Sequence, residues 1–230
     1  METAIGLQHE ARVVCPDEIK KQFKEGELGL VLDWQIKDAG GKVIKEGIKK
    51  GESFTAQFLQ LLYCKMLNVS AFAPVDIVDT SDVTQKIAND NLIFVCDAGA
   101  GIVTNGIIAG TGVTAPDITD RHIETLIAHG VGAGQLQYSA MTYGAPAADA
   151  TTSQFTITRN FANGSGGAIT VNEIALYVKS HNSAWAYSSY GGGITQTLMY
   201  FMTIRDTIAG GISVGNGQTL TVNYRPQAVI

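Results

Sequence analysis

The chain has 230 residues, long enough to bury a sizeable core, with 45% apolar and only 16% charged side chains. It is too apolar and too weakly charged for intrinsic disorder, and it contains no apolar run of about 18 residues that would span a membrane. A net charge of −5, with no basic stripe, argues against direct nucleic-acid binding.

Taken in chain order, residues 1–27 lack periodicity and read as a charged arm, with a turn of helix at Asp17–Lys24. Acids stand where a signal peptide needs basic residues, so nothing here directs export. Leu28–Asp38 and Lys42–Ile48 flank Ala39-Gly40-Gly41 and predict a β-hairpin. Phe54, Phe58, Leu61, Leu62 and Met66 recur at helical spacing and predict one amphipathic helix near 53–67, with Gln57, Gln60 and Lys65 on its wetter side. Gly51-Glu52-Ser53 would cap it.

A second hairpin is expected from Ala73–Asp79 and Val83–Ala88, and further strands from Leu92–Cys96 and Gly101–Ala109. Eight glycines between Gly99 and Gly134 mark a long turn-rich loop, with a helical turn expected at Arg121–Ala128. Gln135–Tyr143 alternates, and Phe155, Ile157 and Phe161 share one strand phase. Asn163–Gly167 should close a hairpin into Ala168–Lys179, where the apolar phase changes at Asn172-Glu173 as a β-bulge would make it. Thr197–Arg205 and Thr219–Tyr224, joined by a glycine-rich loop at 209–217, complete the set. Ile, Val and Thr make up about a quarter of the chain, which suits pleated strands. The expected fold is mainly β: an antiparallel β-sandwich over residues 28–230 with one helix, an N-terminal arm and a sub-boundary near 97–101.

The charge is unevenly spread. Residues 1–52 hold 19 of the 37 charged side chains, and residues 101–230 hold only 11. So sparse a surface is either covered with Thr, Ser, Asn and Gly or shielded by other subunits.

Signals for chemistry are weak. Gly110-Thr111-Gly112-Val113-Thr114-Ala115 fits a dinucleotide fingerprint, but Pro116 and Asp117 follow where the apolar helix should begin. The four histidines lack metal-site spacing, and His129-Gly130 reads as a loop-holding pair. Asp76, Asp79 and Asp82 are three apart, unlike an EF-hand, which leaves a loosely held loop calcium as an open alternative. Cys15, Cys64 and Cys96 are odd in number and far apart, and read as buried thiols. Asp117, Asp120, Glu124 and Glu173 are the carboxylates a sugar-cleaving site would draw on. Glu173, Arg159 and Arg205 in strands read better as charge-paired or hydrogen-bonded groups on a sheet face. No catalytic residue, metal or cofactor is therefore expected. Ser183–Gly193 sets Trp185, Tyr187 and Tyr190 in a bed of Ser and Gly, the make-up of a recognition loop, and these three are the candidate interaction residues.

A succession of short motifs resembles virion structural proteins of tailed bacteriophages. It begins with Gly51–Phe54 leading into Phe58-Leu59, Asp79-Thr80-Ser81, and Ile107–Gly112 with Asp117 and Asp120. Ile127–Gly130, Gly134–Tyr138, Phe155–Phe161, Asn163–Gly166 and Ile169–Tyr177 follow, and Ile204–Asp206 with Gly217–Tyr224 close it. The resemblance implies a repeated building block of the particle, made in the host cytoplasm and residing in the virion. Such proteins occur in necks, tails, baseplates and head decorations, and the tail or neck is the expected place. It implies copies of the same chain and other virion proteins as partners, with no membrane. A receptor- or glycan-binding fibre module, contacting through Trp185 and Tyr190, and a glycan-degrading tail enzyme stand as alternatives.

Overall fold

The computed structural model describes residues 22–51, 53–186 and 193–229, with backbone alone at Ser53, Ser183–Ala186 and Gly193–Gln196. Over these residues the fold is mainly β, built from two antiparallel sheets and one helix. Most of the expected arm, and of the helical turn expected at Asp17–Lys24, lies outside the described residues.

The first hairpin forms as its alternation predicts. Strands β1 (Leu28–Lys37) and β2 (Val43–Lys50) pair from Val31 opposite Lys50 to Ile36 opposite Lys45. Asp38 closes the turn, its Oδ1 accepting from the amides of Gly40 (2.9 Å) and Lys42 (3.0 Å). Leu30, Leu32, Trp34 and Ile36 alternate into the core, whereas Val31 packs with Phe23 on the opposite face. β1 continues the sheet onto the C-terminal strand β14 (Thr219–Val229).

A two-residue strand, β3 (Ser53–Phe54), leads into helix α1 (Ala56–Met66). The cap is Thr55, one turn later than Gly51-Glu52-Ser53, and its hydroxyl donates to the Met202 carbonyl (2.5 Å). The helix is also rotated from the expected face. Gln57, Leu61 and Cys64 point inward while Met66 is exposed, because seating Thr55 on Met202 fixes where the first turn faces.

Strands β4 (Val75–Val78) and β5 (Thr84–Ile87) form the second hairpin, its turn held by Asp79 Oδ1, which accepts from the Ser81 and Val83 amides. Leu92–Cys96 is not a strand. Asp90 accepts from the amides of Leu92 and Ile93 and bends the chain, leaving only an isolated bridge from Val95 to Lys179. Of Gly101–Ala109 only the end is strand, in β6 (Gly106–Gly110). Arg121–Ala128 makes no helical turn. The amides of Ile123, Glu124 and Thr125 go to Tyr177 and Glu173 instead of to the helix ladder.

Short strands β7 (Gln137–Tyr138), β8 (Thr142–Tyr143), β9 (Ala147–Ala148) and β10 (Thr152–Gln154) precede β11 (Ile157–Ala162). Ile157, Arg159 and Phe161 face the core from β11, whereas Phe155, expected in that phase, precedes the strand and is exposed. Two long strands follow, β12 (Ile169–Ala186) and β13 (Gly193–Val214). Asn163–Gly167 is no hairpin turn, because β11 and β12 belong to different sheets and the segment crosses between them. Asn163 organises the crossing, its Nδ2 donating to the Gly167 and Val214 carbonyls.

The eight-stranded sheet runs β2-β1-β14-β10-β9, with β11 also on β14 and β7 and β8 on β11. The six-stranded sheet runs β3-β13-β12-β5-β4, with β6 on β12. One apolar cluster fills the space between them, from Leu32, Trp34 and Val222 on one side to Ile174, Phe201 and Ile212 on the other. The β12–β13 ladder breaks between Val171 and Glu173, where the apolar phase predicts it. The extra residues lie on the facing strand: Val171 pairs Ile212 and Glu173 pairs Thr207, so Ile208–Gly211 bulge out. Gly210 (φ 76°) and Gly211 (φ 65°) supply the left-handed backbone, so residues 209–214 belong to β13 and not to a loop. Val171 and Ile174 are both fully buried in the shared core.

Candidate functional site

The β12–β13 ribbon outruns its sheet. β12 pairs β6 over Glu173–Tyr177 and meets β5 only at Asn182. Beyond that point Ser183, Ala184, Trp185 and Ala186 pair only with Gln196, Thr195, Ile194 and Gly193 of β13, among the described residues. Four pairs at strand spacing carry the ribbon roughly 13 Å past its last neighbour. Trp185 therefore occupies a projecting two-stranded segment; Tyr187 and Tyr190 lie outside the described residues.

A cleft of about 340 Å³ opens between the sheets beside α1. Leu28 and Ile157 line it from one sheet, Leu176 and Ile204 from the other, and Phe58 and Leu62 from the helix. Phe58 stacks on Phe54 at 4.2 Å between ring centroids and meets Phe94 at 5.5 Å. The polar groups at its wall include Cys96 and Tyr143, with the thiol 3.9 Å from the phenol and its pKa pushed up by burial.

The carboxylates that a hydrolytic site would need are gathered, but around structural work. Glu173, fully buried on β12, accepts at Oε1 from the amides of Gly112 and Thr125 (both 2.9 Å). Its Oε2 accepts from the Glu124 amide (3.0 Å) and from Nε and Nη2 of Arg205 (3.1 and 3.0 Å). Arg205 also donates to Asp120 Oδ2 (2.6 Å) and to the Thr114 carbonyl (3.1 Å). Burial works to lower the Arg205 pKa, but the hydrogen bonds to Asp120 and Glu173 outweigh it and hold it above the ordinary value. The cluster pins the 111–125 loop onto the sheet.

Gly110-x-Gly112 serves this contact. A Cβ on Gly112 would stand 2.5 Å from Glu173 Oε1 and 2.4 Å from the Glu124 Cβ. Glu124 Oε2 accepts from the amides of Val113 and Thr114 (both 3.0 Å), and the Thr114 hydrogen bonds, chiefly the backbone one, hold its pKa below the ordinary 4.5. A carboxylate depressed on folding helps hold its loop above its unfolded pKa and loses that effect as pH falls through the folded value. Protection of the Val113 and Thr114 amides, measured by hydrogen exchange against intrinsic rates, should therefore be full above pH 4.5 and fall away on further acidification. Protection that does not change with pH would remove Glu124 from this role.

Arg159 is the residue that sequence reading undervalued. Its side chain is fully buried on β11, its titratable neighbours among the described residues are the phenols of Tyr138 and Tyr143 and not a carboxylate, and every N–H finds a backbone carbonyl. Nε donates to Ser139 (2.9 Å), Nη1 to Asn105 (3.3 Å) and Ile107 (3.0 Å), and Nη2 to Gly99 (3.2 Å) and Ile102 (2.6 Å). Desolvation pulls its pKa down to about 10.

The remaining candidates are also held by local contacts. His129 Nδ1 accepts from the Tyr138 amide (3.0 Å), holding the loop as expected. Asp76 pairs with Lys86, Asp79 with its own turn and Gln85, and Asp82 with Arg121 and His122, so the three acids do not converge. Among the described residues no cluster of three His, Cys, Asp or Glu side chains is placed to hold a metal. Neither a family model, nor a curated protein, nor a solved structure matches this chain.

Proposed function

We propose that this chain is a structural subunit that works by contact with further copies of itself and with other proteins of a particle. A tailed-phage virion is the setting to which the sequence resemblance points, and its tail or neck is the position we propose. The observation that carries the reading is the ribbon leaving its sheet at Asn182 with Trp185 in its projecting part. A two-stranded ribbon is marginal in water by itself, so a segment of this kind gains its stability from a neighbour. The engagement of Asp120, Glu124 and Glu173 in holding one loop supports a scaffold role over hydrolysis.

The full-length chain should sediment as species larger than a monomer, growing with concentration. Trp185→Ala combined with Tyr190→Ala should leave the circular dichroism unchanged and weaken association about tenfold. Mass spectrometry of purified particles should detect the chain. A chain that stays monomeric and binds glycans on an array through Trp185 and Tyr190 would overturn the proposal in favour of a fibre module.

A further inference from the structure

We infer that the outer face of α1, together with the mouth of the adjoining cleft, is a docking surface for a second copy of this chain; the inference rests on the self-assembling reading above. The helix reads AQFLQLLYCKM, with Lys65 as its one charge. A surface helix normally hides its apolar stripe and shows its polar one. Here Gln57 is buried at 4% exposure, with no partner for its Oε1, while Leu59, Tyr63 and Met66 stack at i, i+4 and i+7 toward solvent. Leu67 follows at the end of the helix, and the four residues are between 52% and 74% exposed.

Phe58 and Leu62 line the cleft on the next flank of the same helix. At 100° per residue the positions Phe58, Leu62, Met66, Leu59 and Tyr63 sweep about 140° of the helix circumference. Lys65 does not interrupt the sweep, because its Nζ turns away to the Asp90 carbonyl (2.9 Å).

The area sets the kind of occupant. Side chains of this size present roughly 150–250 Å² each when bare, so the four exposed residues offer about 500 Å² of largely apolar surface. That lies in the upper part of the about 300–600 Å² that a monomer's largest bare patch spans, a size that is often functional. The cleft mouth beside it carries the face toward the ~800 Å² that each partner buries in a stable interface. The surface is uncharged, so it meets its own copy without like-charge repulsion. It also sets a ridge, Tyr63 and Met66, beside a hollow, which are the two halves a self-complementary contact requires.

Sedimentation velocity across a concentration series, on the full-length chain and two variants, tests the assignment. Leu59→Lys with Met66→Lys alters only exposed positions, so folding should persist by circular dichroism. Val113→Lys, at an exposed position outside the patch, is the control. The wild type and the control should associate alike, and the double variant about tenfold or more weaker. Undiminished association in the double variant would overturn this surface while leaving self-assembly intact. A wild type that stays monomeric at every concentration would overturn both.

Discussion

Arg159→Met should destabilise the fold by about 4 kcal/mol or more, a size confined to a few structural mechanisms. The reason lies in what the substitution leaves behind. Methionine replaces the stem of the side chain, but the carbonyls of Gly99, Ile102, Asn105, Ile107 and Ser139 all lose their donor at once. A buried acceptor without a partner costs about 1–3 kcal/mol. Relief of the charge's own burial offsets part of this, since desolvation already draws the Arg159 pKa down to about 10.

Exchanging a buried ion pair for apolar residues can be nearly neutral. That does not apply here, because the acceptors are main chain and cannot be removed with the charge. Arg159 also joins the two sheets: it stands on β11 opposite Val222 of β14, while Ile107 belongs to β6 on β12. Urea denaturation should show the midpoint loss, and hydrogen exchange should show residues 99–107 opening first. Arg159→Lys should rescue only part of it, since an ammonium cannot reproduce the planar fork. A loss below about 1 kcal/mol for the methionine variant would show that water or relaxation satisfies those carbonyls.

The role of Arg159 was within reach of the sequence. Ile157 and Phe161 define an inward phase, and Arg159 stands between them in that phase, so a buried guanidinium follows from alternation alone. Its acceptors were not legible, because they come from an irregular segment whose path no periodicity encodes. The same division runs through the fold. Hairpins with alternating flanks and a turn residue between them, such as Leu28–Asp38 with Lys42–Ile48, were legible from local pattern. The crossing at Asn163–Gly167 resembles a hairpin turn locally and is set by which sheet each strand joins, a tertiary choice. Helix α1 shows the limit most sharply. Apolar residues surround it, so its composition names no unique inward face, and the choice falls to Thr55 on Met202 and the neighbours that Gln57 and Cys64 meet. Of the candidate interaction residues, Trp185 lies in a projecting ribbon, a placement that aromatic and Ser/Gly composition suggests but cannot locate.

Glu173→Gln should cost about 3–5 kcal/mol, the usual effect of breaking a buried charge pair from one side. Both carboxylate oxygens face donors: Oε1 meets the Gly112 and Thr125 amides, and Oε2 meets the Glu124 amide and Arg205. A glutamine has one acceptor oxygen, so in either orientation its NH₂ confronts N–H groups across a hydrogen-bond distance. Arg205 keeps Asp120 but loses its fully buried partner. Gly112→Ala attacks the same contact from the loop side, since its Cβ must displace Glu173 or Glu124, and should cost about 1–3 kcal/mol as overpacking does. The two substitutions act on one contact, so their combined effect should fall short of the sum. Denaturation midpoints of both single variants and the double variant supply the cycle, and amide exchange over 111–125 should rise in all three. Full additivity, or a glutamine variant as stable as the wild type, would show that the loop is held by something other than this carboxylate.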